Sequence, residues 1–257
     1  MKNIIYIISV CLLLTISCKK KKKNSIDDSQ SPGTTTGVNI PPAPNLIINI
    51  PADANGVLMA SRIPHDFSSF TTLVGNASAF FYNAPGDYNY QDAGTVKCND
   101  SVLVKQSGGS YYFSGKAINY QTLSGIDFSS GSRWNVTGNE APAINYTISS
   151  FPTDANMTSS NLVYKNANYV LTFNGAANAD SVAIYLGCDS AVVKKTIAAS
   201  TYSTTFLASQ IASTKKHGST NKGYFNIIPY SLQANTFSSR KYYFVNATTS
   251  TWTITIQ

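Results

Sequence analysis

Histidine and glutamate are the residues this chain nearly does without. Two histidines occur in 257 residues, and Glu140 is the sole glutamate. His65 sits in Arg62-Ile63-Pro64-His65-Asp66, and His217 in Lys215-Lys216-His217-Gly218. A Ser-His-Asp arrangement needs an imidazole held by a carboxylate and touching a nucleophile. Neighbours on a strand point to opposite faces, so Asp66 is badly placed to orient His65. There is no Gly-x-Ser-x-Gly elbow. Glycoside hydrolysis needs two facing carboxylates, and nothing in the scattered aspartates selects a pair. No Cys/His cluster has zinc spacing. These shortages predict no catalytic residue, no metal ligand and no cofactor. The reading is a binding or structural protein, and the alternative is a polysaccharide-acting hydrolase or an accessory subunit of one.

Charge is also scarce, at 12% of residues, and it is unevenly placed. The net charge of +7 suggests a basic protein. Lys2 and Lys19 to Lys23 supply six of the nineteen basic residues, leaving thirteen against twelve acidic ones in the rest of the chain. A nucleic-acid partner would need a basic patch on a folded domain, so none is expected.

Long hydrophobic runs are missing except for one. Ile4 to Ile16 is broken only by Ser9 and Thr15. It is too short for a bilayer core that needs about 20 residues, and it suits a secretory apolar segment following the positive Lys2. It ends in Leu14-Thr15-Ile16-Ser17-Cys18. This stretch resembles the lipobox of bacterial Gram-negative envelope lipoproteins, with small Ser17 before the cysteine and Thr15 where an aliphatic residue is usual. The resemblance implies a signal peptide at 1–17 removed by a lipoprotein signal peptidase, and lipidation at Cys18. Acyl chains add about 0.8 kcal/mol of membrane affinity per buried CH₂. Lys19, rather than aspartate, follows the cysteine, which by the same resemblance implies the outer membrane, facing the periplasm or the surface. The membrane is thus the first expected partner, and Lys19 to Lys23 can meet anionic head groups.

Residues 18–44 hold the lipidated cysteine and a polar, proline-ended stretch that cannot bury a core. They read as a flexible tether, stiffening at Pro41-Pro42-Ala43-Pro44. The rest is rich in Thr, Ser, Asn, Tyr, Val and Ile, a β-former composition. The expected fold is all-β, with two β-sandwich domains at 45–143 and 144–257, and resembles that of uncharacterised β-sandwich lipoproteins. In the first, Asn99-Asp100 reads as a two-residue hairpin turn, and Ser107 to Ser110 as the next turn into Tyr111-Tyr112-Phe113. In the second, strands are predicted near 144–149, 169–174, 181–187, 191–197, 223–229, 240–246 and 251–257, with a short helix near 204–213. Seven short strands in that length match an immunoglobulin-like sandwich.

Of four cysteines, Cys11 and Cys18 belong to the leader and anchor. Cys98 and Cys188 are expected as buried thiols, with a disulfide between them as the alternative. Asp87-Tyr88-Asn89-Tyr90-Gln91-Asp92 alternates oxygen side chains as a calcium loop does, but lacks the required glycine and reads as a polar turn. The same loop is the best binding candidate. Tyr82, Tyr88 and Tyr90 stand in a Pro-Gly-Asn-rich connection, where aromatic faces can stack on sugar rings. Tyr111, Tyr112 and Tyr120 are its expected extension. The expected partner besides the membrane is a glycan or an envelope protein. Asp100-Ser101-Val102, Asp180-Ser181-Val182 and Asp189-Ser190-Ala191 resemble short O-glycosylation sites of some Gram-negative bacteria.

Overall fold

The computed structural model describes residues 48–257 apart from 67–70, 88, 114–115, 120–121, 188–191 and 215–220. The expected leader, Cys18, the expected tether, Tyr88, Tyr120, Cys188 and His217 therefore lie outside the described residues.

The described chain is mostly strand. The first half forms β1 (Gly56–Asp66), β2 (Thr71–Phe81), β3 (Val96–Cys98), β4 (Ser101–Val102), β5 (Val104–Lys105), β6 (Tyr111–Phe113), β7 (Lys116–Asn119), β8 (Thr122–Ser124) and β9 (Ser132–Val136). The second half forms β10 (Ile144–Ile148), β11 (Ala155–Met157), β12 (Leu162–Val163), β13 (Tyr169–Gly175), β14 (Ser181–Gly187), β15 (Val192–Ala198), β16 (Ser203–Phe206), the helix α1 (Ala208–Ser213), β17 (Lys222–Phe237), β18 (Arg240–Thr248) and β19 (Ser250–Ile256).

One hairpin ties these strands together. β17 turns at Ser238-Ser239, both at positive φ (48° and 64°), as a two-residue turn matched to strand twist requires. From there the register never slips. Phe237 faces Arg240, Tyr230 faces Ala247, Ile227 faces Ser250 and Lys222 faces Thr255. β18 and β19 thus act as one return strand. Its lower part lies parallel to β1, from Gly56 opposite Tyr242 to Arg62 opposite Thr248. β1 then pairs antiparallel with β2 along its whole length, and β6 and β5 follow. Around the upper part, β14 lies along β17 with β15 beyond it, and β12 runs parallel to β19.

Each part of this ten-stranded sheet has its own second layer. Period-two alternation sends Leu58, Ala60, Phe81, Tyr111, Tyr242 and Phe244 into one cluster with Val96, Cys98, Trp134, Val136, Ile144 and Ile148. The latter come largely from the sheet β10-β9-β3-β4. In the upper lobe, Val182, Ile184, Leu186, Phe225, Ile227, Ile254 and Ile256 pack against Leu171, Phe173, Phe206 and Ile211. The facing layer there is β11-β13-β16 with α1. On the opposite face of the large sheet, Val57, Phe80, Tyr82, Tyr243, Val245, Ile228 and Tyr230 form a third cluster with Ile48 and Ala54.

The sheet crosses the position where the sequence suggests a boundary. Residue 143 falls between β9 and β10, which are paired from Ile144–Val136 to Ile148–Ser132, so β10 belongs to the first lobe. The chain leaves that lobe near Phe151, whose ring stacks on Phe128 at 4.7 Å. The seven strands expected in the second half are present, but β17 runs on to Phe237, well past the expected 229, and β11, β12 and β16 are additional. The helix is shorter than expected, beginning at Ala208 because Ser203–Phe206 pairs with β13.

Candidate functional site

The connection from β2 to β3 folds around its own polar groups. Asp87 accepts the Ala84 N–H on Oδ2 and the Asn89 N–H on Oδ1, each at 3.1 Å. This closes the turn through Pro85-Gly86, with Gly86 at φ 79°. The other oxygens of the calcium-like pattern diverge. Gln91 donates to Asn83 Oδ1 at 3.3 Å and accepts from Arg240 at 2.6 Å, while Asp92 turns to Lys105 and Tyr111. Among the described residues, no group of three or more His, Cys, Asp or Glu side chains is placed to hold a metal ion.

The tyrosines divide by burial. Tyr82 is 2% exposed and forms a bridge with Tyr90; the two rings lie 5.8 Å apart. Tyr82 has no open ring face for a sugar, because it belongs to the cluster under the loop. Tyr90 is half-buried, 6.1 Å from Phe80, and burial raises its phenol pKa above the usual range. Tyr111 is 1% exposed. Tyr112 is half-buried and meets Phe80 edge-on at 5.8 Å. The structure thus brings Tyr82, Tyr90 and Tyr112 together as one aromatic cluster, and only Tyr90 and Tyr112 reach its rim.

Two carboxylates near these rings share one construction. Asp92 binds Lys105 Nζ at 2.8 Å through Oδ2 and accepts the Tyr111 hydroxyl at 2.9 Å and the Gly94 N–H at 2.8 Å through Oδ1. Asp53 binds Lys241 Nζ at 2.7 Å through Oδ2 and accepts the Tyr243 hydroxyl at 2.7 Å through Oδ1. Lys105, the Gly94 amide and Tyr111 hold the Asp92 carboxyl well below its usual range. Lys241 and then Tyr243 lower Asp53, and Asp53 raises Lys241. Hydrogen bonding to the charged form is the cause in each case. Asp92 pins the β2–β3 connection to β5 and β6, and Asp53 pins the segment before β1 to β18. Nothing in the sequence pairs these residues, which lie up to 190 positions apart.

A cleft of about 410 Å³ opens at the other end of β1 and β2. Arg62, Leu73, Gly75, Gly125, Asp127 and Phe128 are among its lining residues. The Arg62 guanidinium donates to the Phe128 carbonyl and lies 4.5 Å from the centre of the Phe151 ring. Burial lowers the Arg62 pKa, with Asp127 opposing the shift. Gly75 permits the close approach of the two walls, since a Cβ there would lie 1.9 Å from the Ile126 carbonyl oxygen. The cleft offers a stacked cation and backbone carbonyls, a polar site with no nucleophile among the side chains named. Arg62 carries no local signal in the sequence, because its partners come from residues 127–151.

The remaining sequence candidates are scattered. His65 lies opposite Thr72 on the β1–β2 pair. Cys98 is a free, buried thiol whose pKa burial raises. Ser101 stands at the β3–β4 hairpin, whereas Ser181 is paired on both sides within the large sheet. Ser190 lies outside the described residues. No protein-family model matches this chain, and no curated protein matches it either.

Proposed function

We propose that this chain is a lipid-anchored envelope lipoprotein whose β body serves as a non-catalytic binding or structural module. Cys18 carries the anchor in the outer membrane, and residues 19–44 tether the body. The carrying observation is the junction itself: an apolar run too short to span, ending at Ser17-Cys18 and followed by five lysines.

The body's chemistry supports this reading. Asp92 and Asp53, two carboxylates drawn to the charged form, spend both oxygens on lysine, tyrosine and backbone donors that hold segments in place. The partner is a glycan or an envelope protein. We read the two lobes as sandwiches fused through one sheet. The upper is immunoglobulin-like, a reading supported by β11, β13 and β16 in one layer and β14, β15, β17 and β19 in the other.

The test is fractionation of Cys18→Ala. The parent partitions with outer membranes and incorporates labelled palmitate. The variant loses both while its body remains folded. A variant that still partitions with membranes after cleavage elsewhere would overturn the anchor.

A further inference from the structure

The described chain begins already packed on the sheet. Ile48, its first residue, is 3% exposed and belongs to the third cluster with Ala183 of β14 and with Ile228 and Tyr230 of β17. Asn49 accepts from Lys194 Nζ on β15 at 2.9 Å, and Ile50 is half-buried against the same cluster. Further on, Asp53 binds Lys241 and Tyr243 of β18, and the Asn55 N–H donates to the Lys241 carbonyl at 2.7 Å. Residues 48–55 therefore form a strap over the outer face of the large sheet. Traced back from Asn55, it climbs from β18 beside the lower core to β14 and β15 in the upper lobe.

Beyond Ile48 in that direction stand two tyrosines. Val182, Ile184 and Leu186 point into the upper core, so Tyr185 points outward on β14. Phe225 and Ile227 point inward on β17, so Lys222, Tyr224 and Asn226 point outward. Tyr185 packs against the cluster that holds Ile48, and burial pushes its phenol up to about 12 although it stands on the outer side of the sheet. A Cβ at Gly187 would lie 2.4 Å from Tyr224 Cζ, so that ring is laid along the sheet over the neighbouring strand. Tyr185, Tyr224 and Lys222 all have contacts of their own, so this is not an open face.

The chain before Ile48 matches that face in length and chemistry. It reads Pro41-Pro42-Ala43-Pro44-Asn45-Leu46-Ile47. Pro-x-x-Pro segments favour a polyproline II rod and dock on aromatic side chains. Prolines have no N–H to pair, so a sheet face suits them where a sheet edge would not. Pro44 stands four residues before Ile48, and Tyr224 four residues before Ile228. Either interval is about 13 Å long.

We propose that residues 41–47 continue the strap over Tyr185 and Tyr224, with Pro41 and Pro44 against the two rings and Leu46 and Ile47 extending the cluster around Ile48. The partner of this face is then the root of the chain's own tether, and the free tether shortens to residues 19–40. In strand order, β14 and β15 lie on the far side of β18 and β1 from β6. The strap thus leads the tether away from Tyr112 on β6 and keeps it off the Tyr90–Tyr112 rim. The inference holds with or without a lipid at Cys18, which fractionation decides separately.

The test is hydroxyl-radical footprinting of the full chain beside a variant carrying Pro41→Ser, Pro42→Ser, Pro44→Ser, Leu46→Ser and Ile47→Ser together. Tyr185 and Tyr224 label severalfold more in the variant. Tyr164 and Tyr202, each 48% exposed, label equally in both and report that the body stays folded. In an otherwise unchanged chain, benzoylphenylalanine in place of Ala43 crosslinks to β14 or β17. Unchanged labelling of both rings, or crosslinks that land elsewhere, overturns the inference. If the rings are uncovered only when residues 188–191 or 215–220 are replaced by Gly and Ser, those residues are the cover and the inference is overturned as well.

Discussion

Gly56 lies directly opposite Tyr242 in the parallel pair of β1 and β18, and the Tyr242 ring occupies the space that a side chain at 56 would need. A Cβ there would lie 2.7 Å from two ring carbons and 2.6 Å from the Phe80 carbonyl oxygen. Tyr242 is fully buried in the lower core. This contact joins the first strand of the body to its closing hairpin.

Gly56→Ala is therefore expected to destabilise the body by roughly 1–3 kcal/mol, the usual cost of overpacking a filled core. The ring could tilt, but the Phe80 carbonyl is backbone within β2 and has little room to give. Chemical denaturation of parent and variant measures the difference. Equal midpoints and slopes would show that the ring does not fill that space.

Acid should weaken the Asp92 pin in a defined direction. The Asp92 carboxyl is lowered by Lys105, by the Gly94 amide and by Tyr111. A group whose folded pKa lies below its unfolded value of about 3.9 adds stability above that value. The contribution fades as pH falls through the folded pKa. Asp92→Asn keeps the shape and removes the charge. The parent should melt higher than the variant at pH 7, and the gap should narrow below about pH 4. Added salt should narrow it too, because Lys105 and Asp92 are partly exposed. A gap that widens in acid would assign the pin to something other than the carboxylate.

Much of the strand pattern was legible in the chain, because alternation marks a half-buried strand locally. Trp252, Ile254 and Ile256 declare the inner face of β19 without any knowledge of partners. The hairpin turn was not legible. Ser238-Ser239 lacks the glycine or asparagine that signals two positive φ values, so β17 and β18 read as two ordinary strands rather than one long device. The fused sheet was hidden for a related reason. β1 meets β18 across an interval of 186 residues, and parallel pairing leaves no turn between the partners to announce it. The burial of Tyr82 was not legible because composition marks a connection without saying which rings point inward.

Tyr82 and Tyr90 should separate in one pair of variants. Tyr82→Ala empties a buried site in the third cluster and is expected to cost about 3–5 kcal/mol, as for large aromatic truncations. Tyr90→Ala, at the rim, should cost clearly less. Melting both proteins checks the order. A Tyr90 variant less stable than the Tyr82 variant would reverse the assignment of core and rim.

The strongest consequence concerns the second half of the chain on its own. A fragment of residues 144–257 keeps the inner residues of the upper lobe. It also keeps the whole hairpin, but strips β1 from the parallel edge of β18. Tyr242 and Phe244, fully buried in the whole protein, then face water. Burial of a side chain such as Phe is worth about 1.5–3 kcal/mol. Ile144 and Ile148 lose β9 as well. The bared β18 edge is long and apolar, the kind of edge that recruits another chain. The fragment should therefore melt below the full body and self-associate as its concentration rises. Supplying residues 45–143 in trans should raise its melt, because β1 can then take its place beside β18. Sedimentation and thermal melts of the fragment with and without its complement decide the matter. A monomeric fragment that melts as high as the full protein would mean that the lower half of the hairpin contributes nothing to holding the lobes together.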